Sequence, residues 1–310
     1  MRSTLHKGAP KSCNRKEIDT LLPNQSAYVE YDRKETRVRL GGPVFGDIST
    51  PELWVAAVQS QGYRAAYCPL DAKADDATVR AYVEEAAQAD IILAEVGAWS
   101  NPISTNEETR RAAIALCQQQ LDLAERVGAL CCVNIAGSRG EQWDGPHPDN
   151  LTSATFDLVV ETAREIIDAV KPQRTCYTLE TMPWAFPEGP DSYLELIRAI
   201  DRPGFAVHFD PVNLISSPQR YFDNAAFLRD CFAKLGPWIK SCHAKDILLA
   251  PRLTVHLDEV RPGLGGLDYR TFLHEVRLLN PEIPVLLEHL PNADEYVLAA
   301  DYIRSVAAEA

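Results

Sequence analysis

The sequence lacks the features that mark several specialised classes of protein. Its 310 residues contain no Cys-X-X-Cys pair, no apolar run long enough to cross a bilayer and no apolar leader at the N-terminus. Eight cysteines are present, but several lie inside apolar runs such as residues 129–135. This placement favours buried, reduced thiols over a disulfide framework. We therefore expect a cytoplasmic protein without a membrane-spanning segment.

Positive charge is also scarce. The chain has 31 Lys and Arg against 44 Asp and Glu, which gives a formal net charge of -13. Such an acidic surface repels phosphate backbones and anionic lipids, so neither nucleic acid nor a membrane is an expected partner. The composition, 46% hydrophobic and 24% charged, is otherwise that of a globular protein with a sizeable core.

The chain divides into a polar N-terminal extension, residues 1–36, and a regular body, residues 37–310. The extension shows no convincing period, and we expect it to pack on the body or on a partner subunit. In the body, short apolar runs alternate with longer amphipathic ones. The runs that predict strands are Val38–Phe45, Ala65–Cys68, Ile91–Val96, Ala129–Ile135, Thr175–Leu179, Phe205–Phe209, Ile239–His243 and Val285–Leu287.

Helix start signals lie between these runs. Thr50 followed by Pro51, Asn106, and Thr152 are typical N-caps, and Gly128 is a typical helix end. Eight strands alternating with seven or eight helices predict parallel strands joined by right-handed crossovers. A doubly wound sheet alternates in the same way, but no Gly-rich dinucleotide turn follows the first strand. We therefore predict an α/β fold, a single-domain (β/α)8 TIM barrel.

Four consecutive predicted strands end on residues that bind metals. Glu180, Asp210, His243 and Glu288 are separated by 30, 33 and 45 residues, each close to the length of one βα unit. Since the C-terminal strand ends of such a barrel share one rim, the four side chains should converge there. Three carboxylates this close would repel one another without a cation. The donor set predicts one divalent metal ion, Mn²⁺ first, with Mg²⁺, Co²⁺ or Fe²⁺ as alternatives.

Other polar residues at the same strand ends are candidates for substrate binding. They include Asn134 on the fourth strand and Lys245, which follows the predicted metal ligand of the seventh. His208 shares a strand face with Asp210, so it either contacts substrate or metal or supports Asp210 from the layer below. Asp246 is either the acid that orients the ligating imidazole or a helix cap.

The loop after the fourth strand carries further candidates. His147 is an additional acid or base in one interpretation and a surface residue in a turn in the other. Trp99, Trp143 and Trp184 follow strand ends, where they either stack on a sugar or aglycone or pack at the rim.

Four motifs give the chain a family resemblance. LETMPW at residues 179–184, HFDPVN at 208–213, SCHAKD at 241–246 and LLEH at 286–289 resemble the xylose isomerase-like barrel superfamily, as does the Gly-rich run 260–269. The resemblance covers about residues 38–308 and is closest to the sugar isomerases and epimerases that include ketose 3-epimerases and inosose dehydratases. It implies that the Glu, Asp, His, Glu set holds a metal. It also implies that Glu180 and Glu288 exchange the proton of the substrate.

Two features depart from the ketose epimerases. Asn213 and Leu249 stand where those enzymes have a His and an Arg, which argues against ketohexose 3-epimerase specificity but leaves the metal centre intact. The loop 138–148 is similar to that of the large subunits of C-glycoside deglycosidases. This narrower resemblance implies a glycoside substrate. The polar extension 1–36 suggests contact with a neighbouring subunit, which gives either a homo-oligomer or an assembly with a small second subunit.

The sequence thus predicts an enzyme that abstracts a proton beside a metal-bound carbonyl or hydroxyl of a carbohydrate. Return of the proton makes it an isomerase or epimerase, whereas expulsion of a neighbouring group makes it a lyase, such as a dehydratase or a deglycosidase acting on 3-keto-glycosides. A non-catalytic sugar-binding barrel is a further alternative. A metal-dependent apurinic endonuclease is disfavoured, because it needs a histidine-rich three-metal cluster and a less acidic surface.

Overall fold

Eight parallel strands form a closed barrel. The computed structural model describes residues 38–309, so the predicted extension 1–36 lies outside the described residues. The barrel order is β1-β10-β7-β6-β5-β4-β3-β2, and every pair of neighbours is parallel. The barrel strands are β1 (Arg39–Gly41), β2 (Ala65–Tyr67), β3 (Ile92–Gly97), β4 (Cys131–Asn134), β5 (Tyr177–Glu180), β6 (Phe205–Phe209), β7 (Ile239–Ala244) and β10 (Pro284–Leu287).

The predicted (β/α)8 barrel is therefore confirmed, and most predicted strand ends are within two residues of the observed ones. The strands are short and buried on both faces, as parallel strands covered by helices must be. The first strand is the exception, because it ends at Gly41 and not at Phe45. A Cβ at Gly41 would lie only 2.4 Å from the carbonyl oxygen of Ala65, so the absent side chain permits close contact with β2.

Nine α-helices are found among the described residues, and most lie between barrel strands. They are α1 (Pro51–Ser60), α2 (Asp76–Gln88), α3 (Glu107–Val127), α4 (Ser153–Val170), α5 (Pro190–Ile200), α6 (Pro218–Phe222), α7 (Asn224–Leu235), α8 (Tyr269–Leu279) and α9 (Ala293–Glu309). The predicted caps are confirmed: the Thr50, Asn106 and Thr152 side chains each accept a backbone N–H of the first turn. Gly128 ends α3 in the left-handed conformation.

A small hairpin was not predicted. Strands β8 (Asp246–Leu249) and β9 (Leu257–Val260) form a two-stranded antiparallel sheet between β7 and α8. Both are four residues long, and β9 carries mostly charged or half-exposed side chains. The apolar pattern that predicts a buried strand is therefore missing. The hairpin follows the C-terminal end of β7 and so belongs to the face of the barrel that carries the predicted metal ligands.

The core consists of side chains that fill the barrel and of those packed between barrel and helices. The seven cysteines among the described residues form no disulfide, and five of them are buried, as the sequence predicts. Over the same part of the chain, no helix is long and apolar enough to cross a membrane.

Candidate metal centre

The structure brings the four predicted metal ligands together. One donor atom from each of Glu180, Asp210, His243 and Glu288 lies within 4.8 Å of the others. His243 Nδ1 is 2.9 Å from Glu288 Oε1, 3.3 Å from Glu180 Oε1 and 3.9 Å from Asp210 Oδ2. Asp210 and His243 are completely buried, whereas Glu288 has some exposed surface. The cluster therefore lies just beneath the mouth of the barrel.

Strand geometry aims these side chains at one point. Glu180 is the last residue of β5, Asp210 directly follows β6, and Glu288 directly follows β10. His243 lies beside Leu286 in the register of β7 and β10. Because the strands are parallel and tilted around a common axis, residues at their C-terminal ends face the same space.

Hydrogen bonds orient two of the carboxylates. Asp210 Oδ1 accepts the backbone N–H groups of Val212 and Asn213 at 2.9 and 3.3 Å, which leaves Oδ2 facing the cluster. The side-chain amide of Asn213 donates to Glu180 Oε1 at 3.1 Å. Asn213, which departs from the ketose epimerase pattern, thus holds a metal-site carboxylate in place.

The donors fit a divalent cation. Asp210 Oδ2 and Glu288 Oε1 are buried and face the cluster, and both lie against a positive charge, the Lys245 ammonium, at 2.7 and 2.5 Å. Three carboxylates and one imidazole match the oxygen-rich sites preferred by Mn²⁺, Mg²⁺, Co²⁺ and Fe²⁺. The cluster can therefore hold a metal ion, and the donor set does not distinguish among these metals.

The other nitrogen of His243 faces a buried acid. His243 Nε2 is 3.4 Å from Glu95 Oε2, and Glu95 lies in the middle of β3 with almost no exposed surface. Carboxylates in this position fix the tautomer and orientation of ligating imidazoles. Glu95 is thus placed to hold a proton on Nε2 and leave Nδ1 available to a bound cation. Without a cation, burial lowers the pKa of His243, but the surrounding carboxylates raise it well above its usual value.

His208 and Ser241 complete this lower layer. His208 Nε2 lies 2.9 Å from Glu95 Oε1, and the Ser241 hydroxyl also donates to that oxygen. The His208 side chain is 0% exposed, and its contact with substrate stays a prediction. It does lie one layer below the cluster, but it supports Glu95 rather than Asp210.

The electrostatic environment differs among the carboxylates. Burial alone raises the pKa of Glu180, but His243 and Lys245 outweigh it and lower this pKa to about 2. The pKa of Glu288 lies well below its usual value for the same reasons. Asp210 behaves in the opposite way: burial and the two glutamates raise its pKa to about 6 despite the nearby Lys245 ammonium. Asp210 is therefore the carboxylate of the cluster that takes up a proton most readily.

Lys245 lies inside the cluster. Its Nζ is 2.5 Å from Glu288 Oε1, 2.7 Å from Asp210 Oδ2 and 3.6 Å from Glu180 Oε1. Burial lowers the pKa of the Lys245 ammonium, but the three carboxylates more than compensate, and its pKa lies well above the usual value. The residue predicted to bind substrate is thus a fully charged partner of the candidate metal ligands.

Asn134 lies in the interior of the barrel. The structure buries its side chain completely, and substrate contact by this residue stays a prediction. Its Oδ1 accepts the backbone N–H of Ser100 at 3.1 Å, and its amide donates to the Cys117 sulfur at 3.3 Å. Asn134 therefore ties the loop after β3 to the end of β4 and to α3.

Asp246 is neither of the two things expected of it. Its carboxylate accepts backbone N–H groups from the middle of the Gly-rich run, at Gly263, Gly265 and Leu267, and from Ile247. A Cβ on Gly265 would lie 2.3 Å from Asp246 Oδ1, which explains why this position is a glycine. Asp246 thus organises the loop that leads into α8, and the acid behind His243 is Glu95.

The loop after β4 carries His147 and Trp143. His147 Nδ1 accepts the backbone N–H of Asp149 and caps the short 3₁₀ turn Pro148–Leu151. An acid or base role would therefore use its Nε2 atom. The indole N–H of Trp184 donates to the backbone carbonyl of Asp144, so the loops after β4 and β5 are joined. Both Trp143 and Trp184 remain about two-fifths exposed. A catalytic role for His147 and stacking by these tryptophans stay predictions.

Two contributors to the site were missed. Glu95 interrupts the otherwise apolar run ILAEVG, and a charge inside a buried strand needs a buried partner, so its position was a usable clue. Glu259 lies on β9, and its carboxylate is 3.7 Å from Lys245 Nζ and 3.2 Å from His289 Nδ1. No pattern in the sequence indicated that β9 folds back over the mouth.

Comparison with known proteins supports this architecture. A family model described as a xylose isomerase-like TIM barrel matches residues 55–306. A search of curated proteins found no match.

Solved structures of the same fold are similar over most of the chain. A xylose isomerase-like TIM barrel protein from Mycobacterium smegmatis, in complex with magnesium, is 16% identical with a TM-score of 0.60 and covers 84% of this chain and 89% of its own. The probable 3-DHS dehydratase AsbF from Bacillus anthracis is 18% identical with a TM-score of 0.63, and the match covers 84% of this chain and 94% of AsbF. The 3-keto-D-glucoside 4-epimerase YcjR from E. coli is 14% identical with a TM-score of 0.61, and the match covers 87% of this chain and 100% of YcjR. At these identities the likeness concerns the fold, and together with the family match it shows that the chain belongs to the xylose isomerase-like TIM barrel family.

Proposed function

We propose that this protein is a divalent-metal-dependent carbohydrate enzyme of the isomerase or epimerase type. The observation that carries the proposal is the convergence of Glu180, Asp210, His243 and Glu288 at the barrel mouth, where one donor atom of each lies within 4.8 Å of the others. An acidic cluster this tightly packed is expected to be stable only around positive charge. We expect Mn²⁺, with Mg²⁺, Co²⁺ or Fe²⁺ as alternatives.

The reaction proposed is proton abstraction beside a carbonyl. When bound, the cation supplies Lewis acidity that polarises a carbonyl and makes the adjacent C–H more acidic. Glu180 and Glu288 come from well-separated strands, β5 and β10, and each is a carboxylate with a lowered pKa. Each is therefore ionised at neutral pH, and one removes the proton while the other returns one from the opposite side. Asp210 and His243 contribute to holding the cation.

A lyase is the second candidate. Loss of a group from the neighbouring carbon begins with the same proton abstraction, and the similar structures include a probable dehydratase as well as an epimerase of a 3-keto-glucoside. The specific observation in favour is the pair of exposed indoles on the joined loops after β4 and β5, Trp143 and Trp184. Flat apolar faces of this kind suit an aromatic or sugar leaving group. In that case a second small subunit is an expected partner.

Deuterium exchange distinguishes these reactions. The Mn²⁺-loaded protein is incubated in D₂O with ketoses, inososes and 3-keto-glycosides, and products are followed by NMR and mass spectrometry. Deuterium uptake with an intact carbon skeleton and no released group supports the isomerase or epimerase, whereas released water or aglycone supports the lyase. We expect Glu180→Gln and Glu288→Gln to lower either activity by about 10²–10⁴-fold. Glu141→Gln, an exposed carboxylate on the loop after β4, is the control. The proposal is abandoned if no substrate exchanges or is cleaved.

A further inference from the structure

The position of the Lys245 ammonium is unusual for a residue at a substrate-binding mouth. Its side chain is only 2% exposed, and Nζ lies against Asp210 Oδ2 and Glu288 Oε1 at 2.7 and 2.5 Å. Both oxygens are buried and face the cluster. Lys245 thus supplies positive charge at the place where the carboxylates need it.

A divalent cation would require the same two oxygens. Metal–carboxylate bonds are about 2.0–2.2 Å long, so a cation on either oxygen would lie within about 5 Å of Nζ. Two positive charges this close repel each other, and both would compete for the lone pairs that face the cluster. The ammonium in its observed position and a bound cation therefore disfavour each other at these oxygens.

Lys245 has alternative partners nearer the solvent. Its Nζ is 3.7 Å from Glu259 Oε2 and 3.5 Å from His289 Nδ1, and both of these side chains are exposed. The backbone of Lys245 is fixed, because its carbonyl accepts a 2.7 Å hydrogen bond from the buried Tyr269 hydroxyl. Rotation of the four-carbon stem alone can therefore carry the ammonium from the cluster to Glu259 without displacing β7.

We propose that Lys245 and a divalent cation alternate in the carboxylate cluster, and that cation binding moves the ammonium to Glu259 at the barrel mouth, where it faces the substrate. This inference rests on the proposed function, since it assumes that the cluster binds metal. It makes Lys245 both a competitor for the metal and a substrate-positioning residue that is delivered only when the metal is bound. Glu259, on the unpredicted hairpin, is the acceptor that makes the exchange possible.

Metal binding to variants of Lys245 tests the proposal. Metal-stripped full-length wild type, Lys245→Met and Lys245→Gln are titrated with Mn²⁺ by calorimetry, and Lys240→Met is the control. Lys240 is on the same strand but on the outward face of β7. We expect both Lys245 variants to bind Mn²⁺ about ten- to a hundredfold more tightly, a coupling of ordinary size between two linked binding events. Lys240→Met should bind like the wild type.

Thermal unfolding gives a readout that is independent of binding. In EDTA, both Lys245 variants should unfold at a lower temperature than the wild type, because three carboxylates lose their compensating charge. Saturating Mn²⁺ should remove that difference. The glutamine variant serves if the buried methionine prevents folding, since its amide can donate to the carboxylates.

Glu259 completes the test as the second site of a double-mutant cycle. Glu259→Gln should weaken Mn²⁺ binding several-fold when Lys245 is present and should have no effect in the Lys245→Met background. Two results would contradict the exchange of Lys245 and the cation while still supporting a metal site. One is equal Mn²⁺ affinity of the wild type and both Lys245 variants, and the other is additive effects in the double-mutant cycle. Absence of Mn²⁺ binding in every variant would overturn the exchange together with the proposed function.

Discussion

Replacement of Glu95 by Gln is the sharpest test of the lower layer of the site. The change keeps the size of the side chain and removes the charge 3.4 Å from His243 Nε2. A glutamine amide in that place can donate to Nε2, which stabilises the tautomer that carries its proton on Nδ1. That proton would point at the cluster and block the donor atom that the metal needs.

The expected magnitude follows from the same distance. A full positive charge on the ring, 3.4 Å from the carboxylate, would interact by about 5 kcal/mol in an effective dielectric of about 20. A metal-bound imidazole carries only part of a charge, so we expect a loss of about 1.4–2.8 kcal/mol of metal-binding free energy. This corresponds to about ten- to a hundredfold weaker binding, the range measured for partners of ligating histidines.

Calorimetric titration with Mn²⁺ measures this effect directly. The matched control is Ser241→Ala, which removes a hydrogen bond to Glu95 Oε1 but leaves the charge facing His243. We expect that control to change Mn²⁺ affinity by less than about threefold. Unchanged affinity in Glu95→Gln, or equal losses in both variants, would refute the assignment of Glu95 as the residue that sets the tautomer of His243.

Three further predictions follow from other contacts. Because burial and neighbouring carboxylates raise the pKa of Asp210 to about 6, this group must release a proton to bind metal below that pH. The carboxylates also raise the pKa of His243, which must lose a proton as well. Mn²⁺ affinity should therefore fall as the pH is lowered from 7 to 5, and an affinity that does not change over this range would contradict the sign. Tyr193→Phe removes a buried hydroxyl bonded to the backbone of β5 and β6, and should lower the free energy of unfolding by about 1–3 kcal/mol in urea titrations. Gly265→Ala places a methyl group 2.3 Å from Asp246 Oδ1 and should lower the same free energy by about 1–3 kcal/mol, whereas an unchanged urea midpoint would show that the loop can give way.

The fold could be predicted from the sequence because short apolar segments alternate regularly with longer amphipathic ones. Each short apolar run is followed by an amphipathic stretch with a cap, and the caps at Thr50, Asn106 and Thr152 occur where predicted. The four candidate ligands were readable for a related reason. Each stands at or next to a strand end, and a closed parallel barrel necessarily brings those ends to one rim.

The supporting layer was not readable in the same way. Glu95 belongs to a strand on the other side of the barrel from β7, and only the closure of the sheet brings it to His243. The sequence predicts that Asn134 and His208 lie near the substrate, because both lie at strand ends. Their true environment depends on which layer of the barrel interior each occupies, and that depth is set by register, which a single sequence does not specify.

The position of Lys245 illustrates the same limit at the mouth. Its place two residues after His243 correctly puts it on the inward face of the β7 end, and from there it was expected to reach toward substrate. The structure shows its stem turned back into the carboxylates instead. The direction of the Lys245 side chain depends on the balance of charge among residues of four separate strands. No local sequence pattern specifies that balance.

The central claim is that Glu180, Asp210, His243 and Glu288 share one divalent cation. Metal analysis of the purified full-length protein after equilibration with Mn²⁺ and removal of loosely bound ions tests it most directly. The account predicts one tightly bound ion per chain in the wild type and none in Asp210→Asn, with both proteins folded by circular dichroism. A wild-type protein that retains no ion, or an Asp210→Asn variant that retains it unchanged, would contradict the account.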